Sequence, residues 1–273
     1  MTAQYFHKEE DPITSIDRSY SIRKQRSQHR YRITVPRDVL DVMGVDSGDS
    51  LGVWICASEN GFLQIAYETN LSDCHLTSSV SKHSSGELTI PSSVGASTRL
   101  DENGLSWELY EKPEGEYILL GTTTHELVKH TTSGSTFIGC KKLKHVKQEV
   151  THEGKTWNQE HFQVYLDKQA TDLVQWGSPE ILGIIIASID GEIGLKFTRS
   201  ESQVPEKAQK KAQITGDDQK DRITYAPNGL VRTLKFVDLP VNMFATSAGS
   251  LLINPQHATQ NEDANNAAEE TEN

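Results

Sequence analysis

Apolar and polar residues alternate along three short runs in the first third of the chain. The apolar members of these runs are Tyr31, Ile33 and Val35, then Leu51, Val53 and Ile55, then Leu63 and Ile65. Spacing of this kind is typical of half-buried strands. Residues 37–43 follow Pro36, precede Gly44 and carry apolar residues at helical spacing, which predicts a short helix with a left-handed glycine cap.

The same pattern returns further along the chain. When residues 161–197 are aligned with residues 30–67, their apolar positions coincide, and only one residue must be dropped, in the last hairpin. Residues 86–120 carry a shorter version, in which Leu88-Thr89-Ile90-Pro91 echoes Ile33-Thr34-Val35-Pro36. A unit that recurs with shared core positions and different surface residues indicates internal duplication.

A fourth, degraded copy is predicted at residues 222–253, with strands near 231–237 and 250–253. Four copies of a unit made of strands and one short helix predict a mainly β fold. The pairing of the units is open at this point, because a partner hairpin can come from the same chain or from a second copy.

Residues 30–55 (RYRITVPRDVLDVMGVDSGDSLGVWI) resemble the SpoVT-AbrB family of DNA-binding domains. The family's pattern is a basic residue, a β-branched pair, a proline, a short amphipathic helix, a glycine, a Ser-Gly-Asp turn and an apolar strand. The match is strong over 20–67, moderate over 86–120 and limited to the pattern over 161–197. The resemblance implies tandem AbrB-like swapped-hairpin β-barrels with short helices, since one unit is too small to close a core alone.

The resemblance and the length of 273 residues predict two pseudo-dimeric barrels. The alternative is a first unit that dimerises between two chains, and a homo-oligomer is expected. The predicted segments are a flexible N-terminus (1–17), a first barrel (18–122, from units 20–67 and 78–120), a second, divergent barrel (123–254, from unit 145–197, linker 198–222 and unit 222–254) and an acidic disordered tail (255–273).

Charge is distributed unevenly along the chain. The formal net charge is −11, yet residues 18–37 contain seven cations and no acid. The seven are Arg18, Arg23, Lys24, Arg26, Arg30, Arg32 and Arg37. By resemblance Arg32 matches the basic position before the proline strand, while Arg23 and Lys24 match the basic pair of the first strand. These seven residues are therefore the predicted contacts with double-stranded DNA, and their arginines suit bidentate contacts with guanine or phosphate.

Other interpretations of the basic segment stay open. It can be a solvated loop that protects an edge strand from aggregation, or a surface for an acidic protein partner. The predicted helix carries Asp38 and Asp41, which weakens phosphate contact there. Glu87 stands where the first unit has Arg32, which gives the second unit a structural role, and Asp167 replaces Pro36 in the third.

The second half has its own small group of cations. Lys141, Lys142, Lys144 and Lys147 precede the third unit, and a solvated loop is favoured over phosphate contacts there. The acidic tail is interpreted as solubilising, with competition against DNA for the basic patch as the alternative. The acidic surplus suggests a salt-loving archaeal host, in which binding by phosphate neutralisation is weakened.

Catalytic and metal-binding motifs are missing from the sequence. It contains no nucleophile elbow, P-loop or dinucleotide-binding fingerprint, and its three cysteines lack CxxC spacing, so no enzyme activity, cofactor or metal is expected. The N-terminus does not resemble a signal peptide, and Ile181–Ile189 is too short to cross a bilayer, so a cytoplasmic location without membrane contact is expected. The expected function is a sequence-selective DNA-binding transcriptional regulator. The alternative is a protein-interaction or antitoxin-like module with little DNA binding, which takes its protein partner through the second half.

Overall fold

The computed structural model confirms a mainly β fold, with 56% strand and 13% helix. It describes residues 14–16, 21–25, 28–58, 60–72, 74–81, 86–98, 100, 104–141, 143–177, 181–199, 212–213, 222–226, 228–237 and 240–256. Arg18, Arg26, Lys142 and residues 257–273 lie outside these ranges. No helix in the described part is long and apolar enough to span a membrane.

The first half contains two sheets. Its elements are β1 (Thr14–Ile16), β2 (Ser21–Gln25), β3 (Gln28–Val35), α1 (Arg37–Val42), β4 (Ser50–Ala57), β5 (Phe62–Glu68), β6 (Leu76–Ser79), β7 (Gly86–Ile90), α2 (Ser92–Ser97), β8 (Leu105–Glu111) and β9 (Tyr117–Glu126). One sheet has the strand order β1-β8-β9-β5-β4-β6, and a smaller one has the order β2-β3-β7. The smaller sheet carries most of the basic segment.

The second half repeats this plan. Its elements are β10 (Val128–His130), β11 (Thr136–Lys141), β12 (Lys144–His152), β13 (Lys155–Leu166), α3 (Lys168–Val174), β14 (Ile181–Ile189), β15 (Glu192–Thr198), β16 (Ala212–Gln213), β17 (Arg222–Ala226), α4 (Asn228–Thr233), β18 (Val241–Ala245) and β19 (Leu251–Pro255). The larger sheet has the order β10-β14-β15-β19-β18-β11, with β16 on β14, and the smaller one has the order β12-β13-β17. A strand, a short helix and a hairpin therefore follow one another four times.

The register of the hairpins agrees with the sequence alignment of the repeats. Val53 lies opposite Tyr67 in the first hairpin, and their aligned counterparts Ile184 and Phe197 lie opposite each other in the third. The Asp190-Gly191 turn has φ values of 52° and 84°, as a two-residue type I′ turn requires. The first hairpin has one residue more, since the Ser58 N–H donates to the Phe62 carbonyl across a three-residue loop.

Hairpins from different units share each of the larger sheets. In the first half β5 runs antiparallel to β9, with Ala66 opposite Leu120, and in the second half β15 pairs with β19 in the same way. The described strand pairs nevertheless form four open sheets, so a closed ring of hydrogen-bonded strands is not found among them. The reason is local, because α1 separates β3 from β4 and the two strands enter different sheets.

A single hydrophobic cluster runs through both halves. The helix α2 packs closely on β3, and a Cβ atom at Gly95 would lie 2.5 Å from the ring of Tyr31. The same helix contacts α4 and β14, and β4 contacts β15. The basic sheet is thus backed by a core that the two halves build together.

The predicted strand near 231–237 is wrong. The segment forms α4 followed by a turn, and Leu230, Val231 and Leu234 are buried on one helical face. Val231 and Leu234 follow Leu230 by one and four positions, which is helical spacing. A strand would need buried and exposed positions to alternate. The predicted strand at 250–253 corresponds to β19.

Some predicted loose segments contain strands. Residues 14–16 pair with β8 although 1–17 was expected to be flexible, because the exposed edge of β8 accepts a short β-branched segment. Within the expected linker, residues 212–213 pair with β14. The strand β9 continues to Glu126, past the expected boundary at 122.

Candidate nucleic-acid interface

The basic segment forms the hairpin β2–β3, and its register decides which cations come together. Arg23 lies opposite Arg30, and Ser21 lies opposite Arg32. Strand positions alternate between two faces, so positions 30 and 32 share the face that is opposite to the buried Tyr31 and Ile33. Three of the predicted arginine positions, 23, 30 and 32, therefore lie on the face of the sheet that is opposite to Tyr31 and Ile33.

Lys24 is separated from this group. It pairs in register with His29 and so occupies a position on the other face of the hairpin. Arg18 and Arg26 lie outside the described residues, so the predicted site is only partly placed. The positions 23, 30 and 32 are named the arginine face below.

Arg32 is held by the second unit. Its Nη1 donates to Oε2 of Glu87 at 2.8 Å, and the side chains are 25% and 7% exposed. Glu87 belongs to β7, where it stands diagonally from Arg32, since Arg32 pairs with Thr89 and Thr34 pairs with Glu87. The contact fixes the guanidinium in place and balances part of its charge.

Sequence reasoning assigned Glu87 a structural role but did not identify it as the partner of Arg32. A signal for it exists in the repeat alignment, because Glu87 occupies the position of Arg32 with opposite charge. Two equivalent strands that pair antiparallel about their centres bring such positions into diagonal contact. Repeat alignment and charge together could thus have predicted the ion pair.

Arg37 lies outside the arginine face, at the first position of α1. Its guanidinium contacts Asp41 and Asp46, both at 2.8 Å, on an exposed surface. The hydrogen bond with Asp46, and then the charge of Asp41, raise the pKa of Arg37. These contacts tie the short helix to the turn that follows Gly44, which has the predicted left-handed φ of 67°.

The lysines of the second half lie in strands, so the predicted solvated loop is wrong for those that are described. Lys144 and Lys147 belong to β12, which forms a hairpin with β13. The Lys144 Nζ donates to the Tyr165 hydroxyl at 3.2 Å, and Lys147 pairs with Glu160 at 3.3 Å. Glu160 also pairs with Arg232 at 2.7 Å, and the hydrogen bond from Lys147 is the main cause that lowers its pKa. Lys147 is therefore paired with a carboxylate, and Glu160 is shared by two cations.

The hairpin β12–β13 has a feature that the sequence did not predict. It is longer than β2–β3, with nine register pairs, and Trp157, which is 47% exposed, lies opposite Val150. The other three tryptophans, Trp54, Trp107 and Trp176, are buried. Phe137 on β11 is also exposed, at 56%, so exposed aromatic side chains mark the second half.

Other kinds of site have little support in the described residues. They contain no group of three or more histidine, cysteine or acidic side chains that could hold a metal ion. The three cysteines are free.

Comparison with known proteins adds no family assignment. The chain matches no protein-family model, no curated protein and no solved structure.

Proposed function

We propose that the chain consists of two tandem pairs of AbrB-type swapped-hairpin units. Two features support this. In each half a hairpin from one unit joins a hairpin from the next in a shared sheet, and a strand of one unit pairs antiparallel with the equivalent strand of the next. The Ile-Thr-Val-Pro strand followed by a short helix, a glycine cap and a turn lies in the first of these units.

We infer that the protein is a sequence-selective DNA-binding transcriptional regulator in the cytoplasm, and that double-stranded DNA is its partner. The arginine face supports this function best, because it concentrates positive charge on one side of a hairpin in a chain with a formal net charge of −11. Uniform attraction of nucleic acid to the whole surface is disfavoured by that net charge. A local arginine surface can instead orient the chain on phosphates and place side chains at base edges.

A binding experiment tests this function. The full chain is titrated into a labelled duplex taken from upstream of its own gene, and into a scrambled duplex, with fluorescence anisotropy as the readout. We expect tighter binding to the first duplex. Replacing Arg23, Lys24, Arg26, Arg30 and Arg32 by alanine should weaken that binding about a hundredfold or more at low salt, since up to five charged contacts are lost.

Two controls make the result specific to the basic hairpin β2–β3. Alanine at five exposed lysines of the second half removes the same charge, and it should change the affinity severalfold at most; the five are Lys129, Lys144, Lys147, Lys155 and Lys168. The double change of Arg23 and Arg30 leaves the Arg32–Glu87 pair intact, so it separates lost contacts from a disturbed fold. Equal losses in the lysine variant and the five-alanine variant would argue against a localised interface.

The exposed aromatic residues of the second half favour one alternative. Trp157 and Phe137 are large, exposed apolar side chains, which suit a protein partner more than a duplex. If the chain binds neither duplex at any salt concentration, a partner captured by the wild type and lost on Trp157→Ala would support the protein-interaction function.

A further inference from the structure

The strands β3 and β7, which are equivalent in the first two units, pair about a local twofold axis. Ile33 pairs with Leu88, and these residues are equivalent in the two copies of the repeat. The pairs on either side, Arg32 with Thr89 and Thr34 with Glu87, are exchanged by a rotation of 180° about that centre. Backbone pairing at β3–β7 is thus symmetric.

Charge does not follow this symmetry. Rotation about the axis exchanges Arg32 with Glu87, so a cation on one side corresponds to a carboxylate on the other. The difference extends along the chain, because residues 18–37 carry seven cations and no acid, whereas residues 76–91 carry only Lys82 and Glu87. The second unit therefore offers no cationic counterpart of the arginine face.

The strands break the symmetry as well. β3 has β2 on its outer edge, whereas β7 pairs with β3 alone among the described strands, and β6 pairs with β4. On the outer edge of β7 the backbone N–H groups of Glu87 and Thr89 donate to the hydroxyls of Ser81 and Ser78, at 2.9 and 3.1 Å. Residues 78 to 81 thus bond to this edge mainly through serine hydroxyls, with one backbone hydrogen bond from the Ser81 N–H to the Glu87 carbonyl at 3.1 Å.

We propose that the protein reads a non-palindromic DNA site through one hairpin, with one chain on each site. The proposal rests on the proposed function. Operators are palindromic where a protein's twofold symmetry presents two equal reading surfaces, and here the twofold axis relates a basic surface to a neutral one. Five register pairs of β2–β3 extend over about 17 Å, or roughly five base pairs of duplex.

Selection from a random pool tests the proposal. Duplexes with a randomised segment of about two helical turns are enriched by repeated binding to the full chain and then sequenced. The expected result is a short motif without an inverted repeat. A motif that is an inverted repeat would overturn the proposal and leave the proposed function intact. If no motif is enriched and anisotropy detects no selective binding, both are overturned.

Affinity for designed duplexes gives a second readout. A duplex with two inverted copies of the selected motif should bind only about twofold more tightly than a duplex with one copy, because the two copies act as independent sites. A protein with two equal binding surfaces would hold both copies at once, and its affinity would rise 10²–10⁴-fold because the second contact is intramolecular. Such a rise in affinity would contradict the proposal. Titration above the dissociation constant should give one chain for each single-copy duplex, and a ratio of two would also contradict it.

Discussion

Replacing Lys112 with methionine is expected to destabilise the fold by about 3–5 kcal/mol at neutral pH. The Lys112 Nζ lies 2.6 Å from Oε2 of Glu68, whose side chain is only 3% exposed. Glu68 is on β5 of the first unit, and Lys112 begins the turn between β8 and β9 of the second. Methionine keeps the length of the side chain, so the main effect is a buried carboxylate without a cation. Denaturant unfolding measures the change.

Two further variants isolate the cause of this loss. Glu68→Met combined with Lys112→Met should recover most of the stability, since an apolar pair leaves no buried charge. Lys129→Met breaks an ion pair with Glu126 in which both side chains are about half exposed, and its cost should stay below about 1 kcal/mol. A Lys112→Met variant within 1 kcal/mol of wild type would mean that the pair does not hold the two units together.

Stability should also fall as the pH decreases from about 6.5 to about 4, because of His75. The His75 Nδ1 accepts the backbone N–H of Ile55 at 3.0 Å. Burial, and secondly the charge of Lys235, lower the pKa of His75 from 6.5 to about 4. Below pH 6.5 His75 binds a proton in the unfolded chain, whereas in the folded chain it stays neutral until about pH 4. The free energy of unfolding should therefore drop by roughly 3 kcal/mol over this range.

Comparison with His75→Asn separates this residue from the other titrating groups. Asparagine can still accept the Ile55 N–H but does not titrate. The difference in stability between wild type and variant should therefore change by roughly 3 kcal/mol between pH 7 and pH 4. Lys235→Gln should slightly reduce the loss of stability between pH 7 and pH 4, since the charge of Lys235 is the smaller cause of the lowered pKa of His75. If the difference is constant across this pH range, His75 does not remain neutral in the folded protein.

Where apolar positions alternate, the sequence was sufficient to predict the strands and the register of their hairpins. The repeat alignment predicted that Val53–Tyr67 and Ile184–Phe197 are equivalent pairs, because the core face of a hairpin fixes its register. The outer part of β12–β13 was not foreseen, since it is exposed on both faces and lacks an apolar pattern. The helix α4 was mistaken for a strand because a short apolar run fits both structures.

The candidate site was predictable in composition but not in arrangement. Seven cations without an acid can be read directly from residues 18–37. Their division between two faces depends on strand register, which places Lys24 apart from Arg23 and Arg30. The ion pair of Lys112 with Glu68 joins residues that are 44 positions apart and belong to two different units. No local sequence pattern therefore predicts it.

The salt dependence of binding tests most directly whether the basic hairpin β2–β3 contacts DNA. The logarithm of the binding constant is measured against the logarithm of salt concentration for the wild type and for the variant with alanine at Arg23, Lys24, Arg26, Arg30 and Arg32. Each lost phosphate contact lowers the slope by about 0.9, so the wild-type slope should be steeper, by up to about 4.5 if all five residues contact phosphate. Equal slopes in the two proteins would contradict the account.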